Sequence, residues 1–344
     1  MSLRNTLLLC ALWCALLLSG CAVQPATPGA DGRPQDTSRV VVVTIRNTPG
    51  PSAARAGSTQ RDYVPPASYS VSPVARADAK AIAVSHGLRE ISAWPIGLLG
   101  VHCLMFELPA QADRDAVLAR LRSDPRVESA QPLNSFNVLT SPASTAVPST
   151  STVQPPSGSS TPAPASSNDP YHNLQRNLDT MDVTQAHQRS RGEGVRIAII
   201  DTGIDGNHPD LAGRIATMKD FIDDERPATG EQRHGTAVAG VIAAVENNRL
   251  GIVGVAPASR LHGYRACWPE QTNGAGAVCN TFTLAKALAA AIEARVDIVN
   301  LSLTGPLDPL LTRLVDIGLK REMVFVGAVP RTARVARFRP ASGA

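Results

Sequence analysis

Hydrophobic and polar positions fall into two blocks that each mix strand-like and helical periods. The first block, residues 38–139, opens on the β-branched run RVVVVTI and later shows helical spacing that stops at Gly87. Pro95 and Gly97 separate its two middle strands. The predicted strands lie at 39–45, 89–94, 101–108 and 127–131, and the predicted helices at 75–86 and 113–121. The order β-α-β-β-α-β predicts a small α+β unit of the split βαβ, ferredoxin-like arrangement.

The second block, residues 168–329, alternates apolar runs with helical patterns. Its run at 195–200 is apolar and β-branched, as expected for a parallel strand that is buried on both faces. Further strands are predicted at 260–265, 296–303 and 323–329, and helices at 234–245, 283–294 and 307–320. This alternation predicts an α/β fold with a doubly wound parallel sheet.

Composition separates the two blocks and excludes some classes of function. Of the 28 residues at 140–167, 24 are Ser, Thr, Pro or Ala, so this segment is predicted to be a linker. The 344 residues carry 33 Lys and Arg against 29 Asp and Glu, a net charge of +4. A nucleic-acid-binding domain would show a strong basic excess, so no nucleic acid partner is expected. With 43% apolar residues the chain is neither wholly disordered nor fibrous.

The first twenty residues predict an export signal. One positive charge, Arg4, precedes an apolar run at 7–18 that is shorter than a bilayer-spanning helix. The run ends in LSGC, which resembles the lipoprotein box of bacteria. That resemblance implies acylation of Cys21, a lipid anchor in the membrane and a tether over 21–37. Ala22, in place of Asp, implies sorting to the outer membrane of the bacterial cell envelope. The alternative is a plain signal peptide with an incidental Cys21.

Three cysteines remain beyond the signal and the lipoprotein box. Cys267 and Cys279 bracket a Gly- and Asn-containing loop, and their spacing is not that of a zinc site. A disulfide that closes a loop of this size would stabilise the fold by about 3 kcal/mol in an oxidising compartment. Cys103 lies in an apolar run and is predicted to be a buried free thiol.

Two phrases in the second block carry the candidate chemistry. Residues 199–205 read IIDTGID and place Asp201 at the end of a predicted parallel strand, where such sheets bind ligands. Residues 234–240 read HGTAVAG and place His234 at a helix start, with Gly235 allowing close approach of the backbone. Asp201 would then hold His234 in the tautomer that takes a proton from a serine. Together, and in this order, the phrases resemble the Asp and His motifs of the subtilisin-like serine proteases, the subtilases.

The resemblance extends over roughly residues 179–329 and implies a serine endopeptidase that acts on polypeptide substrates. The phrase NLSLTG resembles the substrate-binding strand of the family, which assigns peptide binding to Ser302, Leu303 and Thr304. No redox cofactor is implied, and calcium is implied by the family alone. A solvated acidic loop is the preferred interpretation of the acids Asp220, Asp223, Asp224 and Glu225.

The first block also resembles a known element of the family, the subtilase propeptide. This implies that residues 38–139 chaperone the peptidase domain and that residues 127–136 lead to a strand that plugs its cleft. The partner of the peptidase domain would then be the chain's own propeptide-like domain. Because this match rests on topology and position only, an unrelated binding domain is the alternative.

The nucleophile of the family is missing from these residues. No Gly-Thr-Ser-x-Ala phrase occurs, and the serines after His234 are Ser259, Ser302 and Ser342. Pro330 follows the strand after which the family has its oxyanion-hole Asn. In subtilisin itself, loss of that Asn costs about 3–4 kcal/mol of catalysis, and loss of the serine lowers turnover on the order of 10⁶-fold.

The chain is therefore expected to be inactive as it stands. With the abruptly Arg-rich residues 330–344, this suggests a truncated or frameshifted subtilase gene. The alternative is a non-catalytic peptide-binding or inhibitory lipoprotein, a pseudoprotease.

Overall fold

The structure, a computed structural model, describes residues 37–48, 70–138, 167–222, 232–269 and 276–328. All of them lie in one compact unit, Asp36–Ala344. The predictions for the export signal, Cys21, the tether, nearly all of the linker and the Arg-rich tail lie outside the described residues, as does Ser342. Every helix in the described ranges is too short or too polar to cross a bilayer.

The first part of the chain, residues 37–132, forms an antiparallel sheet with two helices and is called the N-terminal module below. The strand order in its sheet is β2-β3-β1-β4. Its strands are β1 (Val40–Arg46), β2 (Arg89–Ile96), β3 (Val101–Glu107) and β4 (Val127–Pro132), and its helices are α1 (Pro73–His86) and α2 (Arg114–Arg122). The elements therefore follow one another as β-α-β-β-α-β, the order expected from the sequence.

Local signals explain where these helices begin and end. The side chain of Ser72 accepts a hydrogen bond from the Ala75 amide at the start of α1, and Gly87 ends this helix in the left-handed conformation. Asp113 caps α2 in the same way as Ser72 caps α1. The end of β2 differs from the prediction, because the strand continues through Pro95 to Ile96. Since β2 is an edge strand, a proline there interrupts no ladder on its outer side.

Both faces of this sheet are buried, which accounts for the unbroken apolar run in β1. Val41, Val43 and Ile45 pack against α1 and α2 in a core of the module's own. Val40 and Val42 face the other way, into a core that is shared with the C-terminal part of the chain. Cys103 lies in this shared core as a buried free thiol, and burial raises its pKa to about 12.

Residues 167–328, the C-terminal module, are built on a five-stranded parallel sheet. Its strand order is β13-β11-β6-β8-β7. The strands are β6 (Arg196–Asp201), β7 (Ile215–Asp220), β8 (Arg260–Arg265), β11 (Ile298–Leu301) and β13 (Val324–Gly327). The helices are α3 (Arg176–Thr180), α4 (Val183–His187), α5 (Arg233–Ala243), α6 (Thr281–Glu293) and α7 (Pro309–Lys320).

Helices cover both faces of the parallel sheet. Ile197 and Ile199 of β6 pack on one face with residues of α5, whereas Ala198 and Ile200 pack on the other face with residues of α6. The predicted α/β fold with a doubly wound parallel sheet is thus confirmed. Strand β7 was not predicted, because its sequence IATMKD carries few apolar residues at the edge of the sheet.

The strand predicted over 296–303 is wrong in its extent. The parallel strand β11 ends at Leu301, and the chain then enters the short strand β12 (Leu303–Thr304) of a different sheet. That third sheet has the order β12-β5-β10-β9 and is antiparallel. Its other strands are β5 (Ser135–Val138), β9 (Cys267–Pro269) and β10 (Ala277–Asn280). Because β5 follows directly on the N-terminal module, this sheet joins the two modules.

Candidate active site

Asp201 lies at the carboxyl end of β6, where the sequence placed it. Its residue surface is completely buried, and its Oδ1 accepts a hydrogen bond of 2.6 Å from the Thr202 amide. Its main-chain oxygen accepts a second hydrogen bond from the Ala266 amide at 2.9 Å. The bond from Thr202 orients the carboxylate, whereas the bond from Ala266 fixes the main chain at the end of β6.

His234 lies in the first turn of α5 and faces this carboxylate. Its Nδ1 is 2.9 Å from both Oδ1 and Oδ2 of Asp201. The His234 side chain is 21% exposed, whereas that of Asp201 is 0% exposed. A carboxylate that accepts from Nδ1 fixes the tautomer of the ring and stabilises the imidazolium. The imidazole can then act at Nε2 as a general base and acid.

Close backbone packing brings the two side chains together. A Cβ built on Gly235 would overlap the carbonyl oxygen of Gly203 and would lie 3.0 Å from the Gly203 carbonyl carbon. The Gly235 amide donates to Oγ1 of Thr202 at 3.2 Å. The start of α5 therefore rests directly on the loop that leaves β6, as the sequence reading of Gly235 expected.

Two of the predicted substrate-binding residues pair with a strand of the chain itself, β5. Leu303 pairs with Val138 and Thr304 pairs with Asn137, so that β12 and β5 form an antiparallel pair. Ser302 does not join this ladder; its Oγ accepts a hydrogen bond of 2.9 Å from Nδ2 of Asn300. The structure thus places Leu303 and Thr304 against a peptide strand, and Ser302 immediately before them.

Strand β10 pairs with the other edge of β5. The sequence analysis did not predict this strand. Residues Val278, Cys279 and Asn280 pair with Asn137, Phe136 and Ser135, in that order. The two cysteines predicted to pair, Cys267 and Cys279, are joined by a disulfide that connects β10 to β9. The loop between these strands lies outside the described residues. The cysteine spacing was the only signal that pointed to this hairpin.

A second missed element is a buried hydrogen-bonded cluster between the modules. Asp308 caps α7, and its Oδ1 accepts from the amides of Leu310 and Leu311 at 3.0 and 3.1 Å. Its Oδ2 accepts from Oγ1 of Thr281 at 2.6 Å and from Nδ2 of Asn134 at 2.9 Å. Asp308 followed by Pro309 is a readable helix start. The distant partners Asn134 and Thr281 carry no such signal.

Of the four acids in the predicted acidic loop, the structure describes Asp220. Asp220 is paired with the guanidinium of Arg265 through Nη1 at 2.5 Å. Asp223, Asp224 and Glu225 lie outside the described residues. In the described ranges, no group of three His, Cys, Asp or Glu side chains could hold a metal ion.

Comparison with known proteins identifies the family of the C-terminal module. The model of the subtilase family matches residues 192–329, which include β6, α5 and β12. Residues 192–329 are a subtilase-family domain. The match includes Asp201 and His234, the pair that the structure brings within hydrogen-bonding distance.

Several bacterial proteases are similar to this chain. Thermitase of Thermoactinomyces vulgaris is 33% identical over 176 residues, which cover 51% of this chain and 61% of thermitase. The thermophilic serine proteinase of Bacillus sp. (strain AK1) is 31% identical over 231 residues, covering 66% of this chain and 50% of that protein. The chain therefore spans between half and two thirds of the length of these two relatives. Over the matched residues, the chain is similar to subtilisin-like serine proteases.

Solved structures support the fold of the subtilase domain. Fervidolysin from Fervidobacterium pennivorans has a TM-score of 0.53 and 17% sequence identity, covering 84% of this chain and 39% of that structure. The Staphylococcus aureus epidermin leader peptide processing protease has a TM-score of 0.50 and 15% identity, covering 84% and 59%. At these identities the similarity establishes the fold alone.

Proposed function

We propose that this chain carries the Asp–His pair of a subtilase-type serine endopeptidase, and that the space between β10 and β12 is its peptide groove, occupied by strand β5, which follows its own N-terminal module. The observation that carries the proposal is the insertion of β5 between β10 and β12. A peptide in extended conformation binds a protein by adding a strand to exposed strand edges, with alternate side chains entering pockets. Phe136 and Val138 are buried in the groove, whereas Ser135 and Asn137 are exposed. The N-terminal module thus acts as a propeptide-like inhibitor.

In the proposed reaction, Asp201 orients His234, and His234 acts as general base and then as general acid. The acyl group would pass from the peptide bond to a serine and then to water. Such a serine is not offered by the described residues after His234. The Ser259 hydroxyl is buried and donates to the Ala256 carbonyl at 2.8 Å, and Ser302 is bonded to Asn300. We therefore propose that the 344 residues by themselves bind peptides without hydrolysing them, which makes a non-catalytic peptide-binding or inhibitory protein the second candidate.

A variant in which β5 no longer docks tests whether this strand occupies a peptide groove. Phe136→Asp places a charge in a buried position, and burial of an unpaired carboxylate opposes docking of the strand. We expect this variant to bind a fluorescein-labelled peptide with the sequence of residues 132–139, PLNSFNVL, in an anisotropy titration. Wild-type protein is expected to bind it weakly, because its groove is filled.

Asn137→Asp is the matched control, since it adds the same charge to an exposed position of the same strand. It should behave as wild type. If Phe136→Asp fails to bind the peptide, the groove is not a peptide site. Mass spectrometry of the incubated peptide tests turnover separately. Cleavage products that disappear in His234→Ala would show that the 344 residues are an active peptidase.

We also propose that Cys21 anchors the protein in the bacterial outer membrane. The support is the sequence LSGC after a twelve-residue apolar run. Several acyl chains on one residue would hold the protein firmly in a bilayer, where one chain is marginal.

In detergent phase partition of expressed protein, wild type should enter the detergent phase and Cys21→Ser the aqueous phase. Cys14→Ser, within the predicted signal, is the control and should partition as wild type; equal partition of wild type and Cys21→Ser would contradict the anchor.

A further inference from the structure

The disulfide and the docked strand lie side by side in the third sheet. Cys267 pairs with Cys279 across β9 and β10, and Cys279 pairs in turn with Phe136 across β10 and β5. Residues that are directly opposite in neighbouring strands project their side chains from the same face. The disulfide is therefore the immediate lateral neighbour of the Phe136 ring.

The ring of Phe136 is enclosed on two sides. Cys267 and Cys279 are both 0% exposed, and Phe136 is 7% exposed. On the side of β12, a Cβ on Gly305 would overlap Cδ1 of Phe136 and would lie 2.7 Å from its Cε1. The missing side chain of Gly305 thus makes room for the ring, and the disulfide forms the opposite boundary. Phe136, Cys267 and Cys279 belong to one buried cluster.

The disulfide joins two short strands, β9 and β10. The ladder between β9 and β10 has three residue pairs, and an isolated hairpin of this size is marginally stable at best. The end of β10 is anchored, because the Asn280 side chain caps α6 by accepting from the Thr283 amide at 2.9 Å. Strand β9 is linked to β10 by this ladder and by the covalent bond between Cys267 and Cys279. The disulfide therefore adds a covalent link between β9 and the strand that pairs with β5.

We propose that the Cys267–Cys279 disulfide holds the peptide groove in its binding form, so that docking of the strand with Phe136 depends on the redox state of this cysteine pair. The proposal rests on the proposed function, since it assumes that the groove is a peptide site. Coupling between two binding events is reciprocal. If the disulfide strengthens docking, the docked strand protects the disulfide from reduction by the same factor at equilibrium.

The chemistry of the switch is ordinary thiol–disulfide exchange. A dithiol such as dithiothreitol attacks one sulfur through its thiolate, forms a mixed disulfide and then closes to its own cyclic disulfide. Two electrons and two protons pass to Cys267 and Cys279, which become two thiols. Because both sulfurs are buried, the attacking thiolate reaches them only when the groove opens.

The first measurement compares peptide affinity in the two redox states. Phe136→Asp protein is titrated with the labelled peptide PLNSFNVL before and after reduction by dithiothreitol, with thiols counted by alkylation and mass spectrometry. We expect reduction to weaken the affinity by a factor of about 5 to 150, the usual range of coupling between sites. Cys267→Ala/Cys279→Ala in the same background should show the weak affinity under both conditions. Equal affinity of oxidised and reduced protein would overturn the proposal.

The second measurement runs in the opposite direction and needs no cysteine variant. The rate of disulfide reduction is followed in wild type, Phe136→Asp and Asn137→Asp. We expect Phe136→Asp to be reduced faster, because its undocked strand leaves the sulfurs more accessible, and Asn137→Asp to match wild type. Equal rates in all three proteins would contradict the coupling. If the peptide binds equally well before and after reduction, the redox proposal is refuted but the proposed peptide groove is not. If the peptide does not bind at all, both proposals are refuted.

Discussion

Gly235→Ala is expected to destabilise the protein by about 3 kcal/mol and to break the contact between His234 and Asp201. The added methyl would overlap the Gly203 carbonyl oxygen and come within 3.4 Å of the Asp201 Cβ. Overpacking of a close contact typically costs about 1–3 kcal/mol. A main-chain oxygen cannot rotate away, so the effect should reach the upper end of that range. Urea unfolding measures the stability, and nitrogen-15 NMR of the imidazole reports the tautomer of His234.

The same helix provides a matched control. Gly240 also lies in α5, and the nearest atom to a Cβ built there is 3.6 Å away, an ordinary contact. Alanine is a better helix former than glycine by about 1 kcal/mol, so Gly240→Ala should leave the protein equally or more stable. If both variants had the same stability as wild type, the close approach of α5 to the β6 loop would not constrain the site.

Asp308→Ala is expected to lower the free energy of unfolding by about 3 kcal/mol. The carboxylate is 4% exposed and accepts four hydrogen bonds, two from the first turn of α7 and one each from Thr281 and Asn134. Loss of a helix cap costs about 1 kcal/mol, and a hydrogen bond to a charged group contributes about 1.5–3 kcal/mol. The alanine variant would also leave the buried Thr281 hydroxyl with only the more distant Asn134 carbonyl, at 3.4 Å, as an acceptor.

Asp113→Ala is the control variant, because it removes a helix cap without removing a contact between the modules. Asp113 caps α2 by accepting from the Asp115 and Ala116 amides, and both bonds are exposed. This variant should lose about 1 kcal/mol. Equilibrium unfolding in urea gives both values. Hydrogen exchange should show faster exchange in Ser135–Val138 for Asp308→Ala only. An equal loss of stability in the two variants would mean that the buried cluster contributes nothing beyond its cap.

Much of the fold followed from local patterns that the structure bears out. The buried parallel strand at Arg196–Asp201 was visible because both of its faces are covered, so its apolar run is continuous. Helix α2 was visible from its Asp cap and its amphipathic spacing. The proximity of Asp201 and His234 was also foreseen, because a strand end and a glycine-bearing helix start are both readable in the sequence.

What could not be read were contacts between distant segments. Ser135–Val138 has only four residues with two apolar positions, which is too short to signal a strand by itself. Its conformation is set by β10 and β12, which flank it in space but follow it by more than a hundred residues. The break at Ser302 has the same origin, since Leu303 and Thr304 leave the parallel sheet in order to pair with β5.

The third sheet also bears on the order in which the parts of the protein fold. In the N-terminal module, β2 and β3 are separated by only four residues, so this pair can form early and locally. The pairs Cys279 with Phe136 and Leu303 with Val138 instead close loops of more than 140 residues. Contacts between residues so far apart in sequence form slowly, because closing the loop costs conformational entropy before the contact can stabilise the fold. Filling of the groove is therefore the last stage of folding, and the two modules acquire their own sheets before β5 joins them.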